Sequence, residues 1–95
     1  MSEAYAFTAD AEGPPLLRFY IYQTKAQADG RQLWMFTVDE YDQQRRSSPL
    51  FDTLEPTLGE AMGHIANYTS EPLEWRYMAG GQDADLEAIR AELEG

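Results

Sequence analysis

The chain has 95 residues, 43% of them hydrophobic and 13% aromatic, and seventeen acidic residues against seven basic ones set its formal charge at −10. That composition supports one core in one domain, residues 1–95, and argues against disorder. The charge disfavours direct contact with nucleic acid or an anionic membrane surface, since phosphate contacts need clustered Lys and Arg, and the lack of cysteine removes disulfides and thiolate metal sites from consideration.

No basic residue precedes an apolar stretch near Met1, and no apolar run approaches the ~18 residues of a membrane span. The expectation is a cytoplasmic protein without export signal or membrane passage. The sequon Asn67-Tyr68-Thr69 is then a chance match.

Ala4 to Thr8 reads as a short first strand with Tyr5 and Phe7 pointing one way, before Ala11-Glu12-Gly13-Pro14-Pro15 breaks the pattern. From Leu16 to Thr24, Leu17, Phe19 and Ile21 alternate with Arg18, Tyr20 and Tyr22, the period of a half-buried strand. Asp29-Gly30 suits a tight reversal, after which Gln32 to Val38 resumes an extended pattern, with Trp34, Phe36 and Val38 on one face and Leu33 and Met35 on the other. Asp39 to Ser48 is polar and reads as a brief extension and a loop, with a further short strand around Leu50 to Leu54.

Pro56 followed by Thr57-x-x-Glu60 is a capping box opening a helix over Leu58–Tyr68. Leu58, Ala61, Met62, Ile65 and Thr69 trace its apolar face, Pro72 prevents its continuation, and Gly59 and Gly63 suggest close packing on that side. Leu73, Trp75, Tyr77 and Ala79 alternate with Glu74, Arg76 and Met78 as a strand that Gly80-Gly81 ends. Asp83 or Asp85 caps a last helix striped by Leu86, Ile89 and Leu93.

This order predicts the α+β class: a small antiparallel sheet of three to five strands, one central helix packed on a face, and a C-terminal helix. The central helix should cover Leu17, Phe19, Ile21, Trp34, Phe36, Trp75 and Tyr77. The C-terminal helix, whose stripe must be buried somewhere, is expected to lie across the opposite face.

No motif with a specific chemistry is present, and no cofactor or metal is expected. His64 is the lone histidine, four residues after Glu60, a spacing common on solvated helices. The serines lack the context of a nucleophile elbow, and no metal-ligand spacing appears. Two surfaces are candidates for binding instead. One is acidic: Asp39, Glu40, Asp42, Asp52 and Glu55, which together could imitate the charge row of nucleic acid and occupy a basic groove on a nucleic-acid-binding protein. The other is a sheet face with Tyr20, Tyr22, Met35, Arg76 and Met78, alongside Arg18 and Leu33, rich in residue types enriched at interface centres.

The functional expectation is a non-catalytic acidic protein-binding module, an inhibitor or regulator in the manner of phage anti-defence, immunity or antitoxin proteins, working as a monomer or homodimer. Two alternatives stand beside it. One is a small enzyme or ligand-binding domain using His64 with nearby carboxylates, and the other a homodimeric structural component.

Overall fold

The computed structural model describes residues 5–24, 30, 32–44, 46–78 and 83–94. Ala4 of the expected first strand, Ala28, Asp29 and Arg31 of the expected reversal, Arg45, and Ala79, Gly80 and Gly81 lie outside the described residues.

Five strands form one antiparallel sheet: β1 (Ala6–Ala11), β2 (Leu16–Gln23), β3 (Trp34–Tyr41), β4 (Ser47–Glu55) and β5 (Arg76–Tyr77), in the spatial order β4-β3-β2-β1-β5. Helix α1 (Leu58–Gly63) runs into a turn of 3-10 helix (His64–Asn67), and α2 (Leu86–Glu94) closes the described chain. The fold is α+β.

Strict alternation along β1, β2 and β3 sends every second residue to one face. Phe7, Phe19, Ile21, Phe36 and Val38 are fully enclosed there, with Ala9, Ala11, Leu17 and Trp34 also buried. Burying each large side chain contributes roughly 1.5–3 kcal/mol. Phe36 is central, with ring contacts to Phe19 at 6.0 Å, Phe51 at 6.4 Å, Tyr68 at 6.3 Å and the His64 imidazole at 5.5 Å. Tyr5 stacks on Phe7 at 6.1 Å, as their shared face requires.

Leu58 and Ala61 of α1 are buried on this face, with Met62, Ile65 and Tyr68 packed partly against it. The Thr57 hydroxyl accepts from the Glu60 amide at 3.1 Å, so the capping residue sits where the sequence motif places it. True α-helix stops at Gly63, earlier than the expected Tyr68, and the chain tightens into 3-10 geometry. Gly63 is not a point of close approach: a Cβ there would meet nothing within 4 Å.

Four strands differ from expectation, β1 among them, which spans Ala6–Ala11 rather than Ala4–Thr8. β4 is nine residues long rather than a short segment at Leu50–Leu54, and β3 reaches Tyr41, so only 42–46 remain as the connecting turn. The Asp42 carboxylate builds that turn. Its Oδ1 accepts from the Gln44 and Arg46 amides at 2.9 Å each, and its Oδ2 meets Arg46 Nε at 3.0 Å. β5, expected over Leu73–Ala79, is reduced to Arg76–Tyr77, because only these pair with Thr8 and Phe7 of β1. Trp75 nonetheless keeps its core position, and Ala84 N donates to Trp75 O at 2.8 Å, bringing the chain back along the outer side of β5.

That return decides where α2 goes. Leu86 and Ile89 join the same buried cluster as Phe7, Trp75 and Leu58, and Leu73 and Ala84 pack beside them. The expectation that α2 lies across the opposite face is therefore corrected. Starting beside β5 on the Trp75 side, after an Asp85 cap on the Ala88 amide, the helix buries its stripe in the existing core. Both helices lie on one side of the sheet.

Candidate functional site: the open face of the sheet

Among the described residues, no helix lies against the second face of the sheet. None of its side chains belongs to the buried cluster or to the residues packed on that cluster. The register arranges this face in rows that cross the strands.

The first row is apolar from edge to edge. Leu54, Met35, Tyr22 and Ala6 are cross-strand neighbours, and Met78, whose amide donates to Ala6 O at 3.0 Å, extends the row beyond β5. Leu54 and Met78, at its two ends, are 46% and 50% exposed, among the most exposed large hydrophobic side chains described. The second row runs Asp52, Thr37, Tyr20, Thr8 and Arg76. It has a carboxylate at one edge and a guanidinium at the other, both exposed, and neither forms an ion pair among the described residues. Thr8 Oγ1, in its middle, is buried without a hydrogen-bond partner.

The third row is Pro49, Asp39, Arg18 and Asp10. Arg18 grips Asp10 through Nε–Oδ1 at 2.7 Å and Nη2–Oδ2 at 3.2 Å, and its guanidinium lies 4.9 Å from the centre of the Tyr41 ring. A two-pronged carboxylate contact with an aromatic platform fixes the arginine in one orientation. The Tyr41 and Tyr20 hydroxyls are 3.3 Å apart, and burial, then this hydrogen bond, raises the Tyr20 phenol above its ordinary pKa, so it stays neutral. One half of the face is thus apolar and the other a locked polar lattice.

Of the expected sheet-face residues, Tyr20, Tyr22, Met35, Arg76 and Met78 all fall on or beside this surface. Tyr41 and Leu54 belong to it too and were missed. Tyr41 follows by alternation once β3 is extended to its observed end, and Leu54 once β4 is paired with Met35 on β3.

The five expected acidic residues do not form one group. Asp39 and Asp52 are diagonal neighbours on the open face. Glu40 pairs with Leu17 on the helix side, Asp42 is the turn carboxylate, and Glu55 pairs with Trp34 at the far end of β4. Hydrogen bonds from the Arg46 amide first, then the Gln44 amide and the Arg46 side chain, hold the Asp42 carboxyl below its ordinary pKa.

A different acidic concentration exists beside β5. A cleft of about 750 Å³ is lined by Asp10, Glu12, Glu71, Pro72, Glu74, Arg76 and Asp83. Glu71 accepts from the Glu12 amide at 2.6 Å, tying the β1–β2 turn to the segment after the 3-10 helix. No trio of carboxylates or histidine among the described residues is arranged to hold a metal ion.

His64 Nε2 is 3.3 Å from Glu55 Oε1, and the ring stacks on Phe36 and approaches Phe51 at 5.6 Å. Its carboxylate partner is thus Glu55 from β4, not the helical neighbour Glu60. Thr53 Oγ1 donates to the same Glu55 oxygen at 3.3 Å. His64 lines neither the acidic cleft nor the smaller hollow of about 550 Å³ between Met62, Trp75 and Leu86.

Set against known protein families, curated proteins and solved structures, the chain has no significant match. No helix among the described residues is long and apolar enough to cross a membrane.

Proposed function

We propose that this chain is a non-catalytic protein-binding module that inhibits or regulates a partner protein, and that its binding surface is the open face of the sheet. The observation that carries this reading is the uncovered apolar row Leu54–Met35–Tyr22–Ala6–Met78, flanked by Tyr20 and Tyr41. In a domain whose two helices share one side, such a face exposes aromatic and thioether side chains to water. These are the types that dominate interface centres once buried.

The rigid polar half supports the same reading. Arg18, held by Asp10 and Tyr41, presents its donors in a fixed geometry, so little side-chain entropy is lost when a partner docks. A catalytic reading finds less support, since His64 packs between Glu55 and two phenylalanine rings away from both clefts.

The test is capture from the native host with the wild-type chain and with Tyr22→Glu, each checked for folding by circular dichroism. A partner held by the wild type and lost by the variant supports the open face as the site; identical capture by both removes it. Binding through apolar contact should weaken only a few-fold between low and physiological salt. A steep salt dependence together with competition by DNA would move the site to the acidic groups and favour imitation of nucleic-acid charge.

A further inference from the structure

On the helix side of the sheet, a hollow lies between Met62 of α1, the residues that lead into β5 and the start of α2. We propose that it binds a basic peptide segment of a partner protein, with one apolar side chain entering the hollow and lysine or arginine on either side of it meeting the rim. This site is separate from the open face and does not rest on it.

The floor of the hollow is apolar. Met62, Leu73, Trp75 and Leu86 line a space of about 550 Å³, room for one aliphatic side chain and the backbone that carries it. Trp75 and Leu86 belong to the buried core, so folding itself sets the floor in place before any ligand arrives.

The Trp75 indole adds a hydrogen-bond donor. Trp75 is 9% exposed, yet its ring N–H has no hydrogen-bond partner among the described residues and is not one of the polar atoms sealed from solvent. The hollow is the opening that this side chain lines. An indole N–H can only donate, and on a largely buried ring it normally finds an acceptor. A backbone carbonyl of a bound segment supplies one.

The rim is anionic, made by Glu74, Asp83, Asp85 and Glu87 without a basic side chain. Asp85 is engaged with the Ala88 amide at 3.2 Å. The carboxylates of Glu74, Asp83 and Glu87 are exposed and enter no hydrogen bond or ion pair among the described residues. Open carboxylates around an apolar floor select a ligand with an apolar middle and positive flanks, and repel an acidic one. Glu74 and Asp83 also line the wider cleft of about 750 Å³, together with Glu12 and Glu71, which gives the segment an anionic path onward. A bare metal ion or a small amine would satisfy the rim alone, whereas a peptide also fills the floor and accepts from the indole.

The test uses a capped peptide in which leucine is flanked on each side by a lysine and an arginine, titrated into the full isotope-labelled chain. The chain has two tryptophans, and Trp34→Phe assigns their indole N–H resonances. The Trp75 resonance should move saturably with Kd on the order of 100 μM while that of Trp34 stays in place. Replacing the leucine of the peptide by glycine should weaken binding at least about tenfold. Glu74→Gln/Asp83→Asn/Glu87→Gln, all at exposed positions, should weaken it at least about tenfold too. Tyr22→Glu, on the other face, should bind the peptide as the wild type does. A Trp75 resonance that stays still up to millimolar peptide overturns the inference, and so does one that responds equally to the glycine peptide or in the triple variant. Peptide binding lost in Tyr22→Glu also overturns it, by moving the peptide to the open face. A failed titration with partner capture still lost in Tyr22→Glu retires this site and leaves the open face standing. A titration that follows the expected pattern while capture ignores Tyr22→Glu supports this site and retires the open face.

Discussion

The two faces of this sheet are made by the same strands and the same alternation, and they have opposite fates. The helix side encloses Phe7, Phe19, Ile21 and Phe36 completely and recruits both helices, while the open side carries Met35, Tyr20 and Tyr22 and recruits neither. The difference lies in what each face asks of its cover. Phenylalanine and isoleucine gain only by leaving water, whereas tyrosine and arginine keep a polar group that can stay wet. A single small core uses the first kind for folding and leaves the second uncovered.

The largest effect that sharpens this contrast is truncation of one residue on each side. Phe36→Ala should lower unfolding free energy by about 3–5 kcal/mol, because its cavity sits among four ring neighbours that cannot all close in. Tyr22→Ala should cost less than about 1 kcal/mol. Urea titration of the two variants reads both, and comparable losses would mean the open face also carries folding energy.

Thr57→Ala tests the helix layer at its start. Losing the bond to the Glu60 amide should cost about 1 kcal/mol, seen as a lower urea midpoint without a change in slope. On the open side the sign reverses. Thr8 Oγ1 is buried without a partner, so Thr8→Val should leave stability unchanged or raise it by up to about 1 kcal/mol, and a clear loss would show that the hydroxyl has a partner in solution.

The smallest effect concerns the β3–β4 turn. The Asp42 carboxyl is held below its ordinary pKa, so the folded turn favours the ionised form. Its contribution is complete above the ordinary carboxylate range and fades as pH falls through the lowered value. Amide hydrogen exchange of Gln44 and Arg46 should therefore accelerate, relative to the intrinsic rate, in acid. Asp42→Asn should abolish that pH dependence; a turn that exchanges alike in both chains would show that the carboxylate does not hold it.

Much of the covered face was legible in the sequence because strands with cover on one side advertise it by alternation. Leu17, Phe19 and Ile21 could be assigned to a core from spacing alone, and Thr57 to a cap from its partner three residues on. β4 was only half legible. It pairs on one side, carries Pro49, and owes its length to hydrogen bonds with β3 rather than to a burial pattern of its own. The placing of α2 on the first face was not legible, since the stripe Leu86–Ile89 says that a helix must be buried and not against which surface.

The acidic residues teach the same point from the other direction. Asp39 and Glu40 are adjacent in sequence and therefore on opposite faces of a strand, and Asp42 is drawn into the turn by three donors. Proximity along the chain suggested a cluster that the period of two takes apart. Asp52 and Glu55 separate for the same reason.

One irregularity in β4 bears on how large an assembly this chain can build. Its register against β3 shifts between Val38 and Asp39, where Pro49, Leu50 and Phe51 face two residues, and Leu50, Phe51 and Leu54 are all exposed along this outer edge. A nine-residue edge strand with three exposed hydrophobic side chains would ordinarily invite strand after strand and so a growing fibre. Proline supplies no amide to a newcomer and the bulge twists the strand out of line, so the edge offers a template only in its second half. Growth without end along this edge is thereby discouraged.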